Sequence, residues 1–290
     1  MNQREQRSIL AIVIVLLIAV GLAFVGSQGG ATVAGVPLYA LCVALAFVIQ
    51  WIAFIPAFRN QTERYYDLTG SITYITVTAV AVLLSPKSSP RSYLLLALVV
   101  VWALRLGSFL FMRIRAAGSD RRFDAIKPSA PRFLLAWTLQ GLWVSFSLAA
   151  ALAAITSAIM PRLGVFAVVG LAVWLLGMGI EVIADRQKRQ FRKDPANKDK
   201  FIQSGLWAWS RHPNYFGEIL LWLGVAIIAF PVLRGLQYVT LISPLFVYVL
   251  LTRISGVPML EARADEKWGG QPEYEDYKAR TPVLFPQKPK

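Results

Sequence analysis

The sequence is short of the residues from which proteins build disulfides and many metal sites. Its 290 residues include one cysteine, Cys42, and one histidine, His212. A single cysteine forms no intramolecular disulfide and no cysteine-based metal site, and a single histidine excludes multi-histidine di-iron and zinc sites. We therefore expect no metal. The chemistry must come from carboxylates, tyrosines, arginines and a borrowed cofactor.

Charge is scarce as well, at 16% of residues, and hydrophobic residues make up 56% with a mean hydropathy of +0.54. This is the composition of a membrane protein. Eight apolar runs approach the roughly 20 residues that one crossing needs, and the first is too long for an ordinary signal sequence. The sequence predicts an all-α, polytopic transmembrane helix bundle of about eight spans. The runs are Ile9–Val25, Val36–Phe58, Leu68–Leu84, Tyr93–Met112, Phe133–Ile159, Leu163–Ala184, Tyr215–Val232 and Leu236–Leu251.

Lysine and arginine are distributed unevenly between the loops. With eight spans, all but five of the 30 Lys and Arg fall on one side; the exceptions are Lys87, Arg91, Arg162 and Arg234 in the opposite loops, and Arg105 within a span. The positive-inside rule then predicts that both termini are cytoplasmic. The net charge of +14 belongs to this face, where it also attracts anionic lipid headgroups. Nucleic acid is not an expected partner, because the charges lie in short loops between helices.

One motif, running from Ser210 to Glu218, joins a strongly basic loop to the seventh apolar run. Pro213 suits the first turn of a helix, whose free N–H groups and positive dipole end favour a phosphate. Asn214 and Glu218 are four residues apart and share one helix face. Polar groups one turn inside a membrane helix are costly unless they hold something. We expect a phosphate-bearing cofactor at this helix start.

A polar stripe follows the sixth helix where it leaves the membrane, formed by Glu181, Asp185, Arg189 and Arg192. One interpretation is a self-paired ladder of acids and arginines. The other is a second wall of the cofactor pocket, with carboxylates on hydroxyl or carboxamide groups and arginines on phosphates. Within the fourth span, Arg105 either extends toward the cytoplasmic end or faces the interior with an anionic partner, and Arg113 follows on the same face.

The third span has the most polar entrance, with Glu63, Tyr66 and Asp67 at its start and Tyr74 further along. Acidic residues here are also ordinary for a helix start. Alternatively, a tyrosine or a protonated carboxyl group in an apolar pocket hydrogen-bonds a ketone oxygen and stabilises an enolate. After the last span, the tail from Arg253 carries aromatic and charged residues that predict a segment folded back on the cytoplasmic face. It would act as a lid or as an interfacial helix.

With these residues in view, the chain resembles the steroid 5α-reductase superfamily, and more closely a group of bacterial membrane proteins of unassigned function that share that reductase's C-terminal domain. The resemblance runs roughly from Arg105 to Phe285. It is strongest from Asp185 to Glu218 and returns in the tail. It implies a bacterial inner-membrane enzyme that uses NADPH to reduce a carbon–carbon double bond conjugated to a ketone. The substrate would be lipophilic, steroid-like or isoprenoid, and would enter from the bilayer.

The resemblance also assigns residues. It places NADPH near Asp185, Arg189, Arg192, Asn214 and Glu218. The full set expected to bind the cofactor is Arg105, Arg113, Glu181, Asp185, Arg189, Arg192, Lys200, Arg211, His212, Asn214, Tyr215, Glu218, Tyr277 and Arg280.

For the reductases' carbonyl-polarising pair, a glutamate and a tyrosine, the spacing from Arg105 offers Asp67 and Trp102. Since a tryptophan has no useful proton to donate, and the tail lacks the histidine of the steroid enzymes, Tyr66, Glu63 or Tyr74 become candidate donors beside Asp67. We name Asp67, Tyr66 and Glu63 as the catalytic candidates.

We expect one integral membrane domain in three functional segments. Residues 1–92 would form the N-terminal and substrate-side spans, residues 93–252 the cofactor-binding helices and residues 253–290 the tail over the cofactor face.

Two other functions stay open. The motif around Asn214 also resembles membrane methyltransferases that modify isoprenylcysteine or phospholipid headgroups with S-adenosylmethionine. That cofactor has a sulfonium cation and no phosphate, so it gains nothing from the basic loop. A non-enzymatic, lipid-binding protein that keeps an inherited pocket is the third interpretation.

Overall fold

The computed structural model describes residues 2–159 and 161–289. Within them the chain is almost entirely helical, with one short antiparallel pair of strands, β1 (Thr32–Val33) and β2 (Val36–Pro37), between the first two helices. The α-helices of the described residues are α1 (Gln3–Gly26), α2 (Leu38–Arg59), α3 (Tyr66–Leu84), α4 (Pro90–Ala117), α5 (Ala130–Ser147), α6 (Ala149–Ile155), α7 (Val165–Lys193), α8 (Pro213–Ala229), α9 (Ile242–Val249), α10 (Gly256–Trp268) and α11 (Pro272–Arg280).

Seven helical segments of the described residues are long and apolar enough to cross a membrane, and α5 with α6 forms a bent pair that makes an eighth. The all-α, polytopic prediction is therefore confirmed, as an integral membrane protein. The run predicted as one span from Phe133 to Ile159 is broken, because its two helices meet at an angle of 57°. The last candidate span includes a π-helical turn, Leu250–Ile254, before α10 begins.

The chain forms two compact units. The first contains Met1–Phe166 and Ile228–Ser243, and the second contains Ala167–Ile227 and Pro244–Lys290. The predicted division of labour among three segments stays a prediction.

The first unit is centred on α6, in which every residue from Ala149 to Ile155 is buried. Five of the seven side chains in this helix are alanine methyl groups, which let neighbouring helices approach closely from all sides. Polar contacts join the other helices: Gln50 of α2 donates its amide N–H to the Thr73 hydroxyl of α3 at 2.9 Å. Such a pair satisfies polar groups that would otherwise be stranded in an apolar interior.

In the second unit, α7 and α8 are joined by the segment 194–212, which contains two short 3₁₀ turns, Pro195–Asn197 and Gly205–Ala208. The tail forms α10 and α11 and then extends along this segment. The fold-back predicted for the tail is therefore present within the second unit.

Candidate functional site

Helices α7 and α8 touch backbone to backbone, and glycines make this possible. A Cβ atom added to Gly217 would lie 2.6 Å from the carbonyl oxygen of Gly177 and 2.8 Å from the amide nitrogen of Glu181. One helical repeat further on, a Cβ on Gly224 would lie 2.6 Å from the carbonyl oxygen of Gly170. Small residues allow this approach between membrane helices. The contact brings the polar faces of the two helices together near their basic ends.

At this contact the two predicted walls meet. The Asn214 side chain donates its Nδ2–H to Asp185 Oδ1 at 3.3 Å. Glu181, Asp185 and Glu218 are all buried, with exposed fractions of 3%, 8% and 9%. Three buried carboxyl groups and one amide therefore occur in this part of α7 and α8.

One hydrogen-bond acceptor of Asn214 is not used by the described residues. Its Oδ1 atom is buried and has no hydrogen-bond partner among them. An amide whose N–H faces a carboxylate and whose carbonyl faces an unfilled position can accept a hydrogen bond from a bound hydroxyl or amide. Buried polar groups are rarely left unpaired, so this atom indicates a ligand or an ordered water.

His212 lies two residues before Asn214 in the sequence, and the tail holds its side chain. Its Nε2 atom is 2.7 Å from Glu261 Oε1 of α10, and its ring stacks on Tyr215 with centroids 5.6 Å apart. Glu261 also pairs with Arg211, whose Nη2 lies 3.0 Å from Oε2. Burial lowers the pKa of His212, and the bond to Glu261 offsets this only in part.

The imidazole is therefore neutral at pH 7, and we assign its proton to Nε2, which donates to the carboxylate. That leaves Nδ1 of His212 as an acceptor, and this atom is buried without a partner among the described residues. The Nε–H group of Arg211 is also buried and has no hydrogen-bond partner among the described residues. Unused hydrogen-bonding atoms thus occur on three of the four residues that open α8.

The tail fixes the loop that leads into α8. The Tyr277 hydroxyl donates to the carbonyl oxygen of Trp207 at 2.7 Å, and the Trp207 indole donates to the carbonyl oxygen of Ala184 on α7 at 3.0 Å. Ser210 is fully buried and donates to the carbonyl oxygen of Leu284 at 2.9 Å. The loop, α7 and the tail are therefore tied together. Tyr277 is one of the residues predicted to bind the cofactor, and its hydroxyl is already engaged in the hydrogen bond to Trp207.

The basic residues of the predicted stripe, and Lys200 beyond it, lie at the surface of the second unit. Arg189, Arg192 and Lys200 are exposed. Arg189 forms no ion pair within the described residues, so the self-paired ladder is not formed through it. Arg280 donates to Gln203 Oε1 at 2.7 Å and pairs with Asp276, which keeps it close to the loop. The exposed guanidinium group of Arg189 is suited to phosphate oxygens.

The catalytic candidates lie in the first unit, and they differ in how firmly their polar atoms are held by protein hydrogen bonds. Glu63 is 4% exposed, and its Oε1 and Oε2 accept hydrogen bonds from the Asp120 amide and the Lys127 ammonium, each at 2.7 Å. The Tyr66 hydroxyl donates to the carbonyl oxygen of Ala136 at 2.9 Å. Both groups thus hold the loop and helix that follow α4.

Asp67 is the candidate with the loosest partner. Its Oδ2 lies 3.5 Å from Arg113 Nη2, and half of the Arg113 side chain is exposed. Further along α3, the Tyr74 ring packs edge-on against Trp102, with centroids 4.9 Å apart. A tyrosine hydroxyl is therefore present beside the tryptophan that stands at the expected tyrosine position. Arg105 lies on the same helix as Trp102, with its guanidinium 6.0 Å from the Phe109 ring.

A family model matches most of the chain. The chain matches the family DUF1295, described as a protein of unknown function, over residues 53–281. The chain belongs to this family. Three curated relatives are also similar to the chain, and all are 3-oxo-5-alpha-steroid 4-dehydrogenases. The chain is similar to these enzymes over part of its length.

These similarities cover only part of each protein. The type 1 enzyme of Rattus norvegicus is 30% identical over 117 residues, which is 40% of this chain and 40% of the relative. The type 1 enzyme of Bos taurus is 30% identical over 118 residues, again 40% of each. The type 2 enzyme of Homo sapiens is 36% identical over 58 residues, or 20% of this chain and 23% of the relative. No solved structure matches the chain.

For this member of the DUF1295 family, sequence reasoning missed two features of the site. Glu261, the partner of His212 and Arg211, lies 49 residues from the histidine, and no local pattern links them. The glycines of α7 and α8 carried a weaker signal that was available. Gly170 and Gly177 are seven residues apart on α7, as are Gly217 and Gly224 on α8, which is the spacing of a close helix–helix seam. The roles predicted for the cofactor and catalytic residues stay predictions.

Proposed function

We propose that this protein is a membrane oxidoreductase that uses NADPH to reduce a carbon–carbon double bond conjugated to a ketone in a lipophilic substrate. The observation that carries the proposal is the buried polar cluster where α7 meets α8. The buried, unused amide oxygen of Asn214 is costly in an apolar helix pair unless a polar ligand completes it. The names of the curated relatives, 3-oxo-5-alpha-steroid 4-dehydrogenases, supply the reaction class.

The residues present in the second unit fit a dinucleotide with phosphates. Asp185, Glu181 and Glu218 offer carboxylate oxygens that accept from ribose hydroxyls. Asn214 offers the acceptor that a carboxamide N–H would use. The exposed Arg189 and Arg192 supply guanidinium groups for phosphates. When bound, NADPH supplies the hydride, and every other task falls to side chains of this chain.

On the substrate side, we assign the carbonyl contact to Asp67 of α3. In its protonated form the Asp67 carboxyl group donates a hydrogen bond to the ketone oxygen, which withdraws electron density from the conjugated double bond and stabilises the enolate formed in the reduction. Glu63 and Tyr66 surround this position but hold protein groups with their polar atoms. Their part in the reaction is therefore to position the start of α3. A solvent proton completes the saturated product.

The distribution of Lys and Arg supports a proposed topology. With both termini in the cytoplasm, the basic segment 186–211 and the tail face the compartment that contains NADPH. We place the protein in a bacterial inner membrane on the resemblance described above. Single-cysteine labelling at Ser204 and at Ser88, after Cys42→Ser, tests the orientation: reagents confined to the periplasm should modify only the Ser88 position.

The test of function is a thermal-shift titration of the detergent-purified chain with NADPH, NADH and S-adenosylmethionine. A ligand specific for the native state adds about 2.7 kcal/mol at a hundredfold excess over its Kd. We expect NADPH to stabilise the protein and S-adenosylmethionine to have no effect. Stabilisation by S-adenosylmethionine alone would replace the reductase by the methyltransferase. No response to any of the three would favour the non-enzymatic, lipid-binding alternative.

Matched variants locate the response. Asn214→Ala and Glu218→Ala should abolish the NADPH shift while the protein remains folded. Asn60→Ala, which removes an exposed asparagine in the first unit, should leave the shift unchanged. Equal NADPH affinity in all three variants would show that the cluster between α7 and α8 is not the cofactor site.

A further inference from the structure

A second site lies in the first unit, at the end of the helices that is predicted to face the cytoplasm. It is a cavity of about 450 Å³, within the size range of small-molecule sites. The start of α3 and the end of α4 enclose it. Its lining residues are Arg64, Tyr65, Phe111, Ile114, Arg115 and Gly118.

Among the residues that the structure describes, no carboxylate pairs with the two arginines of this cavity. Arg64 donates its Nε–H to the carbonyl oxygen of Gly118 at 3.2 Å, which holds the guanidinium at the cavity wall and leaves its terminal nitrogens available. Within the described residues neither Arg64 nor Arg115 forms an ion pair. Both side chains are exposed, so the charge costs little without a ligand but is ready for an anion.

The neighbouring carboxylates pair with other cations and do not belong to the cavity lining, whose charged residues are Arg64 and Arg115. They form the pairs Asp67–Arg113, Asp120–Arg122, Glu63–Lys127 and Asp124–Lys127. The two remaining guanidinium groups therefore set a positive potential in this space.

The third observation concerns where the cavity lies. Arg64 is two residues before α3 begins, and Arg115 ends the candidate membrane span of α4, so the arginines stand where apolar helix meets the water boundary. The rings of Tyr65 and Phe111 stack here, with centroids 6.2 Å apart and an angle of 24°. More than half of Tyr65 is exposed. Aromatic rings beside basic residues are typical of the level of lipid headgroups.

We propose that this cavity binds the phosphate-bearing headgroup of an anionic phospholipid. The guanidinium groups of Arg64 and Arg115 hold the phosphate oxygens, and the stacked rings of Tyr65 and Phe111 pack against the glycerol and upper acyl region. The site is separate from the carboxylate–amide cluster of the second unit and does not depend on the proposed reductase activity.

The experiment measures lipid retention by the full chain. Purified protein is reconstituted in phosphatidylcholine nanodiscs with increasing phosphatidylglycerol, re-extracted, and its bound lipid is quantified by mass spectrometry. We expect saturable phosphatidylglycerol binding that weakens about tenfold for Arg64→Gln and about tenfold for Arg115→Gln. Arg59→Gln, which removes an exposed charge at the end of α2 outside the cavity, should bind like the original protein.

Two further arms keep the result decisive. Arg64→Lys and Arg115→Lys retain the charge and should bind between the original and the glutamine variants, and a melting curve for each variant shows that it is folded. The proposal is overturned if the glutamine variants retain phosphatidylglycerol as well as Arg59→Gln does. It is also overturned if added NADPH or inorganic phosphate displaces the lipid, since the cavity would then serve a soluble phosphate compound.

Discussion

The glycine contact between α7 and α8 yields the sharpest prediction. In Gly217→Ala the new methyl carbon would lie 2.6 Å from the Gly177 carbonyl oxygen and 2.8 Å from the Glu181 amide nitrogen. Both neighbours are backbone atoms of another helix, so no side chain can rotate away and the helices must separate. Overpacking of this kind costs about 1–3 kcal/mol.

Gly179→Ala is the matched control on α7. No atom lies within 4 Å of the position its Cβ would take, so this variant changes helix propensity without a clash. The substitution should stabilise the helix by up to about 1 kcal/mol. Gly217→Ala gains the same propensity, so the two variants should differ by the overpacking cost of about 1–3 kcal/mol in free energy of unfolding, measured by titrating the solubilised protein with a denaturing detergent.

The same separation should reach the polar cluster. Asn214 and Asp185 are only just within hydrogen-bond distance, at 3.3 Å, so a shift of α8 by a fraction of an ångström breaks their contact. We expect Gly217→Ala to weaken NADPH binding while Gly179→Ala leaves it unchanged. If Gly217→Ala is as stable as Gly179→Ala, the backbone contact between these helices is not present in the protein and the reasoning fails.

Three other predictions rest on single contacts. Glu63→Gln should lower the free energy of unfolding by about 1–3 kcal/mol, because it removes the buried carboxylate that holds Lys127 and leaves that ammonium with Asp124 alone; an unchanged denaturation midpoint would contradict this. Asp67→Ala should remove turnover of an enone while changing stability by less than about 1 kcal/mol, because its ion pair is long and half exposed; full activity in a coupled NADPH-oxidation assay would exclude it as the carbonyl contact. His212 should make stability fall as pH drops below about 6.5, because a pKa lowered by folding means that the native state resists a proton which the unfolded chain accepts. In denaturation between about pH 5 and 8, His212→Gln should flatten that dependence, and an identical slope in both proteins would show that the imidazole is not the group responsible.

Much of the fold was predictable because membrane insertion is decided locally. A run of about 20 apolar residues forms a helix in lipid whatever its neighbours are, since only internal hydrogen bonds satisfy its backbone there. Pro213 does begin α8, as its fixed φ and missing N–H predict. The break between α5 and α6 was not predicted: no glycine or proline marks it, and Ser147 and Leu148 are ordinary helix residues.

The candidate site divides in the same way. The faces of Glu181 and Asp185 on one helix, and of Asn214 and Glu218 on the other, follow from helical periodicity alone. Acidic residues at the start of α3 were ambiguous in sequence, because a cap, a structural ion pair and a catalytic acid look alike. The contacts of Glu63 distinguish it from Asp67 only because Lys127 is brought to it from 64 residues away.

The sequence by itself determined the membrane class, the approximate number of spans, the family and the basic face, because each depends on composition or on residues within one helix turn or one motif. The tertiary structure decided that α7 and α8 touch through glycine, that Glu261 holds His212, and that no carboxylate of the described residues pairs with Arg64 or Arg115. Those outcomes depend on which distant segments pack together and on how a limited set of acids is shared among many cations. No local pattern encodes that allocation; the packed chain settles it.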